Sequence, residues 1–243
     1  MVTSKADIIA RLNREILPLQ GYKPLANAAK PNPGLGSMEQ AFPGKSFPLA
    51  AIHEFCCKEQ EDEAATGGFI AGLLSTIMVN GGTAVWIGRS PIIFPPALKF
   101  FGLAPERVIF VAVQKDKDML WAMEEALKCG GLTAVIGEIR ELSFTVSRRF
   151  QLAVEHSNVT GFIVRRDPRQ LNTTASLTRW KISSLPSDAV DDLPGVGFPR
   201  WQVDLVKVRN GKPGSWQMEW VNGKFRLLPD TNTIIHELKK KTG

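Results

Sequence analysis

The chain has 243 residues, 44% hydrophobic and 22% charged, with a net charge of +6 and a pI near 9.3. This is an ordinary globular composition, large enough for one sizeable core. No apolar run reaches the ~18–20 residues of a membrane span, and three cysteines without a C-x-x-C pair or a signal peptide point to a reducing cytoplasm. The basic excess fits a solvated surface and an anionic partner such as DNA equally well.

Residues 4–17 predict a short amphipathic helix with Ile8, Ile9, Leu12, Ile16 and Leu17 on one side, ended by Pro18. Residues 21–46 hold four prolines and four glycines and read as a flexible linker. Apolar β runs then alternate with helical patterns. Strands are expected at 50–55, 83–87, 108–113, 133–137 and 159–164. Helices are expected at 64–79, 96–101, 118–129 and 143–156, the third capped by Asp118 and stopped by Gly130 and Gly131. Five apolar runs separated by helices predict an α/β fold, a mostly parallel sheet flanked by helices.

Beyond residue 170 the pattern changes. Residues 176–182, 201–209 and 214–220 read as strands, with turns at Asn210-Gly211 and Asn222-Gly223. They predict antiparallel strands that extend the sheet edge. Trp201, Trp216 and Trp220 are expected to pack across one face. The domains expected are 1–46 (helix and linker), 47–225 (core) and 226–243 (tail).

The junction after the first core strand has the layout of a phosphate-binding loop, an apolar strand entering a loop that leaves into a long apolar helix. A phosphate loop needs glycines and a Lys-Ser/Thr pair at the helix start. Here Glu59, Glu61, Asp62 and Glu63 stand with only Lys58 against them. Each like-charge contact with a triphosphate costs about 1 kcal/mol or more at short range, so nucleotide is disfavoured. No catalytic residue and no cofactor is assigned. His53, His156 and His236 are scattered, and no metal site is read. Cys56, Cys57 and Cys129 are expected as structural thiols.

Several stretches taken in order carry a resemblance: FPLAAIHEF (47–55), DMLWAMEEALKCGGLTAVIGEI (118–139), LSFTVSRRFQLAVEHSNVTGFIVR (142–165), SLTRWKI (176–182) and GFPRWQVDLVKVRNGKPGSWQMEW (197–220). Together they resemble the ImuA family of bacterial mutagenesis proteins, which is similar to the RecA core. The acidic junction and the N-terminal extension are not part of the match. The resemblance implies a RecA-like fold and a noncatalytic accessory in SOS-induced, error-prone translesion DNA synthesis. It implies a Y-family polymerase-like partner, ImuB. RecA, an error-prone replicative-type polymerase and single-stranded DNA are further partners it admits. The competing readings are a DNA-dependent ATPase of RecA type with an atypical nucleotide site and a SulA-like cell-division inhibitor. The missing Lys-Ser/Thr argues against the first, the chain length and the KPGSWQMEW ending against the second.

On the RecA-like frame, the strand at 133–137 ends where an ATPase places a metal-associated acid. Glu138 falls there and is read as structural or interacting, because no phosphate loop would present nucleotide to it. The segment 138–181 carries eight Lys/Arg against four Asp/Glu. Arg148 and Arg149 lie on the polar side of their helix. Arg165, Arg166 and Arg169 follow a strand, and Arg179 and Lys181 come soon after. In RecA-like cores a loop in this position contacts single-stranded DNA, so these seven residues form the nucleic-acid candidate. The partner candidates are Ile8, Leu12 and Ile16 near the N-terminus and Ile234, Ile235 and Leu238 in the tail.

Overall fold

The computed structural model describes residues 33–90, 92–187 and 197–229. The partner candidates Ile8, Leu12, Ile16, Ile234, Ile235 and Leu238 lie outside them.

The chain folds as β1 (Ile52–Cys57), α1 (Gln60–Ile77), β2 (Ala84–Gly88), β3 (Val108–Ala112), α2 (Asp116–Lys128), β4 (Ala134–Glu138), α3 (Phe144–Ser157), β5 (Thr160–Arg166), β6 (Thr178–Leu185), β7 (Arg200–Val208), β8 (Gly214–Val221) and β9 (Lys224–Leu227). The nine strands form one sheet in the order β3-β2-β4-β5-β1-β6-β7-β8-β9. Pairing is parallel from β3 through β6 and antiparallel from β6 to β9. The expected RecA-like α/β core with an antiparallel extension is therefore present.

Strands β1, β2 and β4 are buried at every position, because helices cover both faces of the parallel half. One core lies between the sheet and α1 and includes Phe55, Phe69, Trp86, Phe162 and Trp180. The other lies under α2 and α3, around Met123, Val135, Phe150 and Ile163. In the antiparallel half, burial alternates along β6 and β7. Trp180, Ile182, Val203 and Leu205 turn toward the α1 core. Trp201 and Trp220 are buried in that same core, and Trp216 packs against it partly buried.

Helix α1 approaches the sheet through glycines. A Cβ on Gly68 would lie 3.1 Å from the Phe101 ring, and one on Gly72 would lie 2.7 Å from Phe225 and 3.0 Å from Trp220. A Gly72→Leu substitution is therefore expected to overpack this contact and cost about 1–3 kcal/mol, read as a lower urea midpoint. An unchanged midpoint would refute the close packing.

Four local expectations are corrected. The linker reading fails for residues 33–46: Gly36–Ala41 is a 3-10 helix, and Leu35, Met38 and Phe42 are buried in the α1 core. Their apolar side chains outweigh the local turn signals. Helix α1 begins at Gln60 rather than 64, so the acidic residues form its first turn. Helix α2 takes Lys115 as N-cap without a side-chain bond, and Asp116 and Asp118 stand in its first turn, where carboxylates favour the helix dipole. Strand β9 was not anticipated. It runs two residues past the core boundary expected at 225, with Phe225 buried and Val221 paired to Lys224. The Asn222-Gly223 turn closes this hairpin with both residues at positive φ, as a type I′ turn requires.

Candidate functional site

In open α/β sheets, ligands bind at the carboxyl ends of the strands. A cleft of about 500 Å³ opens there, lined by residues that include Glu63, Arg89, Asp116, Glu138, Arg140 and Arg166. Its geometry follows from a short connection. Strand β1 ends at Cys57 and α1 starts at Gln60, leaving Lys58 and Glu59 between them. Two residues cannot wrap a phosphate chain. The Lys58 amide donates to Asp62 Oδ2 at 3.4 Å, so a carboxylate takes up a donor at the helix start.

The space in front of the helix holds a guanidinium. Arg166, at the end of β5, lies 2.7 Å from Glu63 Oε2 and 3.4 Å from Glu138 Oε2. Glu138, at the end of β4, accepts at Oε1 from the Trp86 indole and the Ile92 amide, each at 2.7 Å. Burial pushes its carboxyl above the usual range, and those two bonds and Arg166 oppose the shift. Glycine at 88 is what leaves room: a Cβ there would sit 2.8 Å from Glu138 Oε2. Arg89 pairs with Asp116 at 2.6 Å and Arg140 with Asp167 at 2.8 Å. The cleft's cations are thus largely matched by its own carboxylates.

A second charge cluster sits inside the sheet. Glu54 on β1 and Arg165 on β5 are wholly buried and 3.0 Å apart. Arg179 on β6 approaches Glu54 to 3.0 Å, and the Thr174 hydroxyl donates to it at 2.7 Å. Arg165 also donates to Asn172 Oδ1 at 3.1 Å and the Gln170 carbonyl at 2.9 Å. Arg179 reaches the Asn172 carbonyl at 2.6 Å. The loop between β5 and β6 is therefore built on this buried carboxylate. Its far side is bonded to the entry and first turn of α3: Asn172 donates to the carbonyl of Leu142, just before the helix, and Ser147 on the helix accepts from the Ala175 amide.

The seven nucleic-acid candidates separate accordingly. Arg165 and Arg179 turn inward on Glu54, and Arg166 bridges Glu63 and Glu138. Arg149 is exposed but ion-paired to Glu124 on α2. The side chains of Arg148, Arg169 and Lys181 are exposed and make no ion pair among the described residues. Summed charge along the sequence pointed to this segment, but Glu54, over one hundred residues upstream, carried no local sign of taking two of its arginines. Of the cysteines, Cys56 and Cys57 are buried, and burial pushes both thiols up to about 12, while Cys129 is exposed. Among the described residues no cluster of three His, Cys, Asp or Glu could hold a metal, and no helix is long and apolar enough to cross a membrane.

The strand order, the helices on both faces of the parallel half and the antiparallel extension define the class: a RecA-like α/β core. No family model matches the chain. Two curated relatives named Protein ImuA, from two strains of Caulobacter vibrioides, are each 33% identical over 198 residues, spanning 76% of this chain and 81% of the relative. The chain belongs to the ImuA family.

Proposed function

We propose that the protein is a noncatalytic adaptor in error-prone translesion DNA synthesis, acting in the cytoplasm during the DNA-damage response and binding a Y-family polymerase-like partner. One observation supports the noncatalytic reading above the rest. Arg166 lies between Glu63 and Glu138, at the helix start where a nucleotide phosphate would otherwise approach. A triphosphate would have to break both contacts and face the first-turn carboxylates of α1. Membership of the ImuA family and the resemblance of its segments support the pathway.

Purified protein is expected to show neither ATP hydrolysis nor measurable Mg-ATP binding by calorimetry. A micromolar dissociation constant that is lost on substituting Lys58 or Glu138 would sink the noncatalytic reading and favour the ATPase one. Binding of the polymerase-like partner by the purified full chain tests the adaptor role, and no binding at micromolar concentrations would refute it.

A further inference from the structure

Strand β3 ends the sheet, with β2 on one side and no strand on the other among the described residues. The Val113 amide donates to the Gly88 carbonyl at the end of β2. Backbone groups point to alternate sides along a strand, so Ile109 and Val111 also face β2, while Val108, Phe110 and Ala112 face outward. The Val108 amide is used by the Pro105 carbonyl. The Val108 carbonyl and both groups of Phe110 and Ala112 remain on the open edge, without a partner among the described residues. Ile109 is 51% exposed, because α2 packs over β4 and β2 rather than over β3. On the opposite face Phe110 is half-buried and stacks on Trp86 at 6.2 Å. The far edge of the same sheet is built differently. Strand β9 carries exposed Lys224 and Arg226, charges that discourage pairing. Residues 108–113, VIFVAV, have no charge and no proline, and β3 meets β2 without a bulge.

We infer that β3 pairs antiparallel with β3 of a second copy of this chain, about a two-fold axis at Phe110. The inference is independent of the adaptor reading. In that register the outward groups meet. Phe110 exchanges two bonds with its counterpart, and each Ala112 N–H reaches the Val108 carbonyl of the other copy. The faces agree as well: Ile109 stands opposite Val111, and Phe110 opposite Phe110, all apolar cross-strand pairs. One bare edge per copy gives a closed dimer, whereas the charges on β9 oppose the β3–β9 pairing that would run on as a fibre. The chain's own segments fit the edge poorly. Residues 188–196 join β6 to β7, and β6 stands five strand spacings from β3, about 24 Å. The ten steps from Ser187 to Gly197 span at most about 36 Å, so a loop that goes out and back reaches about 18 Å. Residues 230–243 follow β9, eight spacings or about 38 Å away, so at most about three of them could lie along β3. In residues 1–32, Ile8, Ile9, Leu12, Ile16 and Leu17 follow helical spacing rather than strand alternation, and Pro18, Pro24 and Pro31 interrupt the rest.

The test is sedimentation equilibrium of the full chain over roughly 1 to 100 µM, comparing wild type with Ile109→Lys, Ala112→Pro and Leu152→Lys, the last an exposed apolar site on α3. Wild type should dimerise within that range. Ile109→Lys puts a charge into each apolar cross-strand pair. Ala112→Pro removes an N–H that points away from β2, a loss that an edge strand tolerates. Each should weaken the dimer at least tenfold while the folded monomer keeps its far-UV circular dichroism, and Leu152→Lys should leave the dimer intact. A wild type that stays monomeric throughout would overturn the inference. So would a dimer that both β3 variants retain, or assemblies that grow beyond the dimer. A monomeric wild type that loses the polymerase-like partner on Ile109→Lys would assign the edge to that partner instead and overturn the pairing of copies.

Discussion

Glu54→Ala is expected to cost about 3–5 kcal/mol, because it strands the buried Arg165 guanidinium without its counter-charge. Both side chains are fully shielded from solvent, 3.0 Å apart, so water cannot take over the role of the missing carboxylate. For a chain of this length each kcal/mol shifts the thermal midpoint by about 2–4 °C, so the drop should be on the order of 10 °C. Arg148→Ala, on the exposed face of α3, should stay within about 0.5 kcal/mol. A Glu54→Leu/Arg165→Met double variant should lose less than the two single changes added together, since it removes both charges at once. Urea unfolding of these variants, with the Glu54→Leu and Arg165→Met single changes, decides the matter. A Glu54→Ala loss below about 1 kcal/mol would mean that the pair is not buried as described.

Acidification should destabilise the fold through His53. This ring is wholly buried, stacked on Phe47 at 4.4 Å and on Phe162 at 5.6 Å. Its Nε2 donates to the Pro48 carbonyl and its Nδ1 accepts from the Thr178 hydroxyl, both at 2.8 Å. Burial pushes its pKa down to about 3, against a weaker upward pull from the Pro48 carbonyl. An unfolded histidine titrates near 6.5. Between those values the unfolded chain binds a proton that the folded chain refuses. The stability is complete above pH ~6.5 and falls with pH by about 1.4 kcal/mol per unit, or roughly 3 kcal/mol by pH 4. Glu138 has the opposite sign. Its raised pKa stabilises at low pH, and that contribution fades as pH rises past the ordinary carboxyl range. Urea midpoints at pH 7.5, 6, 5 and 4 for wild type and His53→Gln measure the difference. A wild-type profile that stays flat from pH 7 to 4, or a His53→Gln profile with the same slope, would contradict the assignment.

The sequence carried the fold where burial and pattern agree. Strands β2 and β4 are nearly continuous apolar runs because the neighbouring strands and the helices on both faces bury every one of their positions, whereas edge strand β3 is buried only at Val108. The Asn222-Gly223 signal was legible because few residues accept two consecutive positive φ values. Strand β9 escaped because four residues, Lys224–Leu227, are too few for alternation to register, and β8 supplies the pairing from outside the segment. Residues 33–46 misled because prolines and glycines mark turns without saying whether the turn lies on a core. Leu35 and Met38 are buried by contacts far away in the chain. The acidic junction showed that a phosphate was unwelcome. That Arg166 would lie there, and that Arg165 would turn inward while Arg166 faces the cleft, depends on strand pairing that local spacing does not encode.

The position of β1 governs how the chain can fold as it is made. The first strand of the sheet stands between β5 and β6, and its Glu54 meets Arg165, 111 residues later in the chain. At about 5–20 residues per second of synthesis, the apolar β1 waits roughly 6–20 s for its neighbours. During that interval its two edges and the apolar side of α1 lack the strands they will pack against, and loop closure over such a distance is slow. Folding of the centre is therefore a late event, completed only when β5 and β6 have left the ribosome. Yield in the cell should depend on holding chaperones more steeply than equilibrium stability alone would suggest.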